Sequence, residues 1–402
     1  MIAGTPVLDL DDVASLETAD TGGTLRSAAS GGAQVRATAA AISENTLNRL
    51  ADLRPRSLVL VSGSGRAARA ASLLIAVLGD RTSMPLVHAT SIPPWVGPLD
   101  VVLVAGDDSG DPRLAESVDS ALRRGAEVIV AAPDEGPMRS AAAGRATMLP
   151  PRVPVLDHNR LLRFLAVGMA VIAAVDPHRT GPLVPNLNAL ADLLDAEALR
   201  DGPQNEAFHN PAKTLATRMQ QRKRLVMSGD TPATTVLAEH ASEVLLAAAG
   251  QITTAANLSE TIAAHARLVE AAGVSAPGFD PLFHDEQLDG PAPVEQVRVL
   301  VLSADIDEVA ARRRLAFFGA EGSMVDADLV NVDAESAGPA PMLPGGQTAA
   351  EVAQGQAATT GRSGELERLA VLTLRLEMAA AYLRLLGSRP ATGPGNYDGG
   401  NF

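Results

Sequence analysis

The segments LVLVSGSGR (residues 58–66) and VVLVAGDDSG (residues 101–110) repeat one design. Each begins with a run of β-branched residues and leucine, continues into a loop that contains glycine, and leads into the start of a helix. This order is typical of the βαβ unit, in which neighbouring strands are parallel. We therefore expect both loops at the carboxyl ends of neighbouring strands, where open α/β sheets bind ligands.

The same alternation extends along the chain. In the first half it predicts strands at 57–61, 85–88, 100–105 and 127–132, and helices at 33–53, 67–78, 112–124 and 160–175. In the second half it predicts strands at 224–228, 297–303 and 328–332, helices at 211–221, 233–249, 257–271 and 306–318, and a last helix with leucines of 366–386 on one face. The fold class is therefore α/β, with two domains related by internal duplication, each a mostly parallel sheet flanked by helices.

The predicted domain boundaries follow from these elements and from the length of 402 residues, which exceeds what one core usually organises. An irregular N-terminal segment covers 1–32, and the first domain covers 33–178. A linker at 179–210 leads to the second domain at 211–390, which includes a loop at 334–363 rich in Gly, Pro and Ala. Residues 391–402 form a tail.

Composition and charge narrow the class of protein. Apolar residues make up 46% of the chain and aromatic residues only 2%, so aliphatic side chains and alanine must pack the core. The net charge of −14 argues against nucleic acid and anionic membranes as partners. There is no cysteine and no run of about 18 apolar residues that would span a membrane. The first residues lack a positively charged segment followed by an apolar run, so we expect no secretion leader. We expect a soluble cytoplasmic protein.

Four segments together resemble the sugar isomerase (SIS) domain used twice, as in the bifunctional phosphoglucose/phosphomannose isomerases. GSGRA at 63–67 is similar to the family's Gly-x-Gly-Gly-Ser loop, and DDSGDP at 107–112 to its Ser-x-Ser-Gly-Asn-Thr loop. NPAKTLA at 210–216 resembles the family's Asn-x-Ala-Lys-x-Leu-Ala segment, and AYLRLLG at 381–387 its last helix. The likeness spans roughly residues 33–390 and is carried by order and spacing.

The resemblance implies a phosphorylated sugar as ligand, a role in glucose/mannose phosphate metabolism and a homodimer. Backbone amides of a glycine-rich loop and a helix N-terminus suit a phosphate dianion. It also implies a set of ligand-binding residues and, if the protein is active, a proton-moving carboxylate and a ring-opening histidine. The implied ligand-binding residues are Ser62, Gly63, Ser64, Gly65, Arg66, Ser109 and Gly110, and the implied catalytic residues are Glu243, His240 and His209. No metal site and no cofactor are predicted.

The sequence departs from the family at the positions that carry its chemistry. In the second loop only Ser109 and Gly110 match, and carboxylates replace donors at Asp107 and Asp111. Three carboxylates near a phosphate would repel it more strongly as water is excluded. Ungapped alignment puts Ser242 at the family's catalytic Glu, one residue from Glu243, and Leu258 at its His.

Alternatives therefore stay open. The loop at 63–66 is either a ligand loop or a bare turn, and the acidic loop at 107–111 either binds a divalent cation or is a solvated loop whose Asp caps a helix. His240 and Glu243 could share a face or form a surface pair. His209 either reaches a neighbouring subunit's pocket or is a simple loop residue. The chain is either a glucose/mannose 6-phosphate isomerase or a non-catalytic, isomerase-like scaffold or regulator.

Overall fold

The computed structural model describes residues 8–51, 53–221, 224–272, 296–305, 308–318, 325–332 and 364–387. In the first half the strands are β1 (Ser57–Ser62), β2 (Leu86–Ala89), β3 (Asp100–Ala105), β4 (Glu127–Ala131) and β5 (Thr147–Met148). The helices up to the end of the first half are α1 (Val13–Ala19), α2 (Thr24–Ala29), α3 (Gly31–Ser43), α4 (Arg66–Leu78), α5 (Pro112–Arg123), α6 (Gly136–Ala142) and α7 (Leu161–Val175).

In the rest of the chain the helices are α8 (Leu187–Arg200), α9 (Pro211–Gln220), α10 (Pro232–Ala249), α11 (Leu258–Ala263), α12 (His265–Ala272), α13 (Glu308–Leu315) and α14 (Gly364–Gly387). The strands are β6 (Arg224–Gly229), β7 (Thr253–Asn257), β8 (Val297–Leu302) and β9 (Val325–Val330). Helix α13 continues into a 3-10 turn at Ala316–Phe318.

All described strand pairs are parallel. One sheet has the order β2-β1-β3-β4-β5 and the other the order β7-β6-β8-β9. Every residue of β1 and β3 is buried, as expected of parallel strands covered by helices on both faces. The predicted α/β fold class, with two mostly parallel sheets flanked by helices, is confirmed.

The side chains of β1 show how the core is divided. Leu58 and Leu60 point into the large cluster that joins the two halves, whereas Val59 and Val61 point into a separate cluster under α5. The large cluster also includes aliphatic side chains of α4, α7, α10 and α14, and α4 packs directly on α10. The helices between the two sheets thus form a shared core, and groups on α4 and α10 meet there.

Three predictions about the organisation need correction. The segment at 1–32 is not irregular where it is described, because α1 is capped by Asp12 and inserts Leu16 into the core, and α2 follows. The segment predicted as a linker contains α8, which is capped by Asn186 and packs on α3. The last helix is buried around its circumference, not on one face, because α2, α8, α9 and α10 surround it.

The other boundaries remain predictions. The loop at 334–363 and the tail at 391–402 lie outside the described residues. Among the described residues, one helical stretch, Asp157–Val175, is long and apolar enough to cross a membrane, but 78% of its most apolar window is buried inside the protein. It is therefore a core helix of this fold.

Candidate functional site

The strand orders create two equivalent crevices. In the first sheet the chain moves from β1 outward to β2 and then crosses to β3 on the other side of β1. In the second sheet it moves from β6 to β7 and crosses to β8 in the same way. Such a switch point leaves a crevice outside the carboxyl ends of the two central strands. The loops after β1 and β3 flank the first crevice, and the loops after β6 and β8 flank the second.

The first crevice has an open loop. Gly63, Ser64 and Gly65 are all exposed, and Gly65 has a φ of +78°, which glycine adopts without strain. Helix α4 begins directly after it with no side-chain cap on its first amides. A Cβ added to Gly65 would meet nothing within 4 Å. The loop therefore leaves room for a ligand at a helix end that carries free N–H donors and partial positive charge.

The second crevice is closed by its own backbone. A Cβ on Gly229 would overlap the backbone nitrogen of Thr235, because α10 folds tightly over the end of β6. The first amides of α10 are capped by Thr231, whose hydroxyl and backbone exchange hydrogen bonds with Thr234. The helix end is thus already satisfied, in contrast to that of α4.

A carboxylate of the protein also occupies the second crevice. Asp230 has a side chain that is 1% exposed and accepts hydrogen bonds from Ser303 Oγ at 2.6 Å, Thr234 Oγ1 at 2.9 Å and Arg314 Nη1 at 3.0 Å. Two hydroxyls and a guanidinium are the donors that would recognise an anion. Since Asp230 takes all three, the first crevice is the candidate ligand site.

The acidic loop after β3 is held in place by local partners. Asp107 pairs with Arg160 at 2.9 Å, and burial raises the pKa of this carboxyl while Arg160 opposes the rise. Asp108 accepts from the Gly110 amide at 2.7 Å. Asp111 caps α5 by accepting from the amides of the first turn. The expected helix cap is confirmed at Asp111.

The loop also affects what the first crevice can bind. Within the described residues, no group of three or more Asp, Glu or His side chains could hold a metal ion. The Asp111 carboxylate lies so close to Gly63 that a Cβ there would be 3.7 Å from its Oδ2. Ser109 Oγ is directed away to Glu135, at 3.4 Å. An anion in this crevice would therefore be repelled least near Ser64 and Gly65, away from Asp111.

Ser62 pairs with a histidine that sequence reasoning missed. Ser62 Oγ lies 2.9 Å from Nε2 of His88, and Ser62 itself is 1% exposed. Burial lowers the pKa of His88, so the imidazole is neutral at physiological pH. Ser62, the last residue of β1, thus anchors the start of the loop at 63–65 through this hydrogen bond. The predicted strand at 85–88 ends at His88, and this was the signal that could have placed the histidine; in the structure His88 is paired with Leu60 of β1.

Arg66 and Glu243 meet across the two halves. Arg66 forms an ion pair with one Glu243 oxygen, and Arg69 binds the other through Nε at 2.9 Å and Nη2 at 2.6 Å. Arg69 also pairs with Glu239, one helical turn away on α10. Both oxygens of the predicted catalytic carboxylate are therefore engaged in joining α4 to α10, and the predicted ligand guanidinium is engaged with it.

His240 lies in a separate, buried network. Its Nε2 is 3.0 Å from Oε1 of Glu377, whose other oxygen accepts from Nδ2 of Asn159 at 3.0 Å. Ser27 donates to Asn159 at 2.8 Å. Burial raises the pKa of Glu377 to about 8 and lowers the pKa of His240 well below its ordinary value, with Arg66 adding to the latter effect. Both side chains are buried, so neither reaches the crevice surface.

His209 lies in a short 3-10 turn, where its ring meets Phe208 edge-on at 4.9 Å. The adjoining segment at 210–216, which resembles the family, has a structural role. Asn210 caps α9, and the buried Lys213 donates to the carbonyls of Pro203 at 2.9 Å and Asn205 at 2.6 Å. Glu243, His240 and His209 each contact a different set of partners. Their catalytic roles stay predictions.

Solved structures share this fold over most of their length. Tagatose-6-phosphate ketose/aldose isomerase from Escherichia coli is 15% identical, with a TM-score of 0.55 over 95% of this chain and 99% of that one. The C-terminal domain of glucosamine-fructose-6-phosphate aminotransferase from Francisella tularensis is 9% identical, with a TM-score of 0.54 over 90% and 96%.

Glucosamine-6-phosphate deaminase from Thermotoga maritima is 11% identical, with a TM-score of 0.51 over 89% of this chain and 93% of that one. No family model and no curated protein sequence matches the chain. The likeness is thus one of fold, and it extends over both halves.

Proposed function

We propose that this chain, which has the two-domain sugar isomerase fold, binds a phosphorylated sugar at its first crevice and does not isomerise it. The observation that carries the proposal is the exposed loop Gly63–Gly65 at the uncapped start of α4. A helix N-terminus with free amides is a general site for phosphate. Proteins of the same fold whose names specify sugar phosphates support the choice of ligand class.

The proposal that the protein does not isomerise its ligand is based on the surroundings of the candidate catalytic residues. Isomerisation needs a carboxylate that reaches two adjacent sugar carbons and an acid that reaches the ring oxygen. Glu243 is held on both oxygens by Arg66 and Arg69, and His240 is buried against Glu377. The arrangement favours a sensor or regulator in which ligand binding at the N-terminus of α4 changes the α4–α10 interface. We further propose a cytoplasmic homodimer and, as ligands, the hexose phosphates of glucose and mannose metabolism.

The test compares two substitutions of one exposed residue by calorimetric titration with glucose 6-phosphate, fructose 6-phosphate and mannose 6-phosphate. Ser64→Glu places a carboxylate in the loop and should abolish binding at the crevice by repulsion, whereas Ser64→Gln, of the same size, should retain it. A ligand at 100 times its dissociation constant should also stabilise the wild type by about 2.7 kcal/mol. Equal crevice binding by Ser64→Glu and the wild type would refute the site.

Catalysis is tested separately. We expect purified protein to convert fructose 6-phosphate into neither glucose 6-phosphate nor mannose 6-phosphate. Conversion that is lost in Glu243→Gln and retained in Glu239→Gln, a neighbouring partner of Arg69, would establish an isomerase instead. If no hexose phosphate binds at all, the crevice proposal is wrong, and the result favours a role through a protein partner.

A further inference from the structure

A polar groove lies outside both crevices. It has a volume of about 360 Å³ and is lined by Thr90, Ser91, Ile92, Arg113, Glu116, Ser117, Ser120 and Arg124. The volume lies within the range of about 300 to 1,000 Å³ that small-molecule sites occupy. The groove runs between α5 and the segment that follows β2, on the face of the first sheet away from the shared core.

Helix spacing explains why these α5 residues share the groove. Positions 113, 116, 117, 120 and 124 recur at the intervals that keep side chains on one face of a helix. Arg113 lies in the first turn of α5 and Arg124 is its C-cap, so the two positions are about 16 Å apart along the helix axis at the usual 1.5 Å per residue. A cation therefore stands near each end of the groove, with hydroxyls between them.

The charge of the groove favours an anion. Two guanidiniums face one carboxylate, Glu116, in a protein whose net charge is −14. Neither Arg113 nor Arg124 forms an ion pair with any residue that the structure describes. Arg124 donates through Nη1 to the Pro93 carbonyl at 2.6 Å, so it is fixed by the chain, while Arg113 is exposed at the first turn of α5. Arg113 is thus the guanidinium available to a phosphate.

The rest of the lining selects the organic part of the ligand. Thr90 and Ser91 present exposed hydroxyls, and Glu116 presents an exposed carboxylate that can accept hydrogen bonds from hydroxyl groups. Ser120 accepts from Arg123 and retains its own O–H as a donor. Ile92 is the one aliphatic side chain of the lining, so there is no flat apolar surface for a purine or pyrimidine ring. The partners match a sugar.

We propose that this groove is a second binding site, for a phosphorylated sugar whose phosphate binds Arg113. The site does not depend on the proposed function, because it shares no residue with the loop at 63–65. It has a physical link to it, however. Asp111 caps α5, and the same carboxylate faces Gly63 across the first crevice. Ligand in the groove would therefore act on the position of the residue that limits the crevice.

Calorimetric titration of the full chain with the three hexose 6-phosphates tests the groove, with unphosphorylated glucose and adenosine monophosphate as comparison ligands. Arg113→Gln should weaken the groove site about tenfold or more, since it removes a charge-assisted contact to phosphate. Arg179→Gln is the control, because Arg179 is an exposed arginine that neither lines the groove nor contacts a residue that does. Ser64→Glu isolates the groove by removing crevice binding.

The two sites then fail independently. We expect Ser64→Glu to bind one sugar phosphate per chain, and the added Arg113→Gln to weaken that binding while added Arg179→Gln does not. If the wild type binds one sugar phosphate and Ser64→Glu binds none, the groove proposal is wrong and the crevice proposal stands. If the wild type and Ser64→Glu each bind one sugar phosphate, and Arg113→Gln abolishes that binding in both, the groove proposal stands and the crevice proposal is wrong. Binding of adenosine monophosphate as tight as that of the sugars, and dependent on Arg113, would overturn the ligand class.

Discussion

Replacement of Glu377 by Gln should remove a specific pH dependence of stability. Burial raises the pKa of Glu377 from 4.5 to about 8 in the folded protein. The folded chain therefore holds a proton that the unfolded chain has released, and the free energy of unfolding falls as the pH rises toward 8. Gln is isosteric: its oxygen can accept from Asn159, and its amide can donate to Nε2 of neutral His240.

The size of the effect follows from the pH window. His240 has the opposite sign, because its lowered pKa costs stability only as the pH falls below its ordinary value of 6.5. Above pH 6.5, Glu377 is therefore the one member of the pair that makes the free energy of unfolding depend on pH, with a slope of about 1.4 kcal/mol per pH unit. Between pH 6.5 and 8 the wild type should therefore lose about 2 kcal/mol through Glu377.

The assay is urea unfolding at pH 6.5, 7.2 and 8.0, with the difference between variant and wild type plotted against pH. The difference should rise in favour of Glu377→Gln by about 2 kcal/mol across the window. Glu367→Gln, a partly exposed change on the same helix, is the control and should show a flat difference. A flat difference for Glu377→Gln as well would show that Glu377 is ionised throughout, and the reasoning about the buried pair would be refuted.

Three further predictions concern the two crevices and the interface between the halves. Gly229→Ala should lower the free energy of unfolding by about 3 kcal/mol because its Cβ would overlap backbone, whereas Gly63→Ala should cost less than about 1 kcal/mol; equal costs in chemical denaturation would contradict the difference between the crevices. Asp230→Ala should cost about 3 kcal/mol by leaving its buried hydroxyl partners unpaired, and a cost near zero would mean that this carboxylate does not hold the second crevice closed. Glu243→Gln should cost about 1 kcal/mol, less in high salt, because the ion pairs to α4 are partly exposed; an effect insensitive to salt would rule out the ion pairs as its cause.

The sequence was sufficient for the elements whose patterns are local. Long aliphatic runs fixed β1, β3, β4 and β8, and helical periodicity fixed α4, α7 and α10, each to within one or two residues. Shorter elements were missed where caps or tertiary contacts outweigh periodicity. Strand β7 consists of Thr253-Thr254-Ala255-Ala256-Asn257, which has no β-branched apolar run; it was not predicted, and only its last residue falls in the helix predicted at 257–271.

The candidate site was predictable only in its backbone. Glycine spacing located the loop at 63–66, and the helix that follows it was expected from the same pattern. The partner of Arg66 was not foreseeable, because Glu243 is 177 residues away and meets it through the packing of α4 on α10. The closure of the second crevice by Asp230 likewise depends on Ser303 and Arg314, which come from distant parts of the chain.

A crystal structure of the chain grown with fructose 6-phosphate tests the central claim most directly. We expect the phosphate within hydrogen-bonding distance of the backbone amides of Ser64, Gly65 and Arg66, the sugar ring lying away from Asp111, and Glu243 still paired with Arg66 and Arg69. A phosphate bound in the second crevice in place of Asp230, or a first crevice left empty at a ligand concentration that saturates binding in solution, would contradict the account.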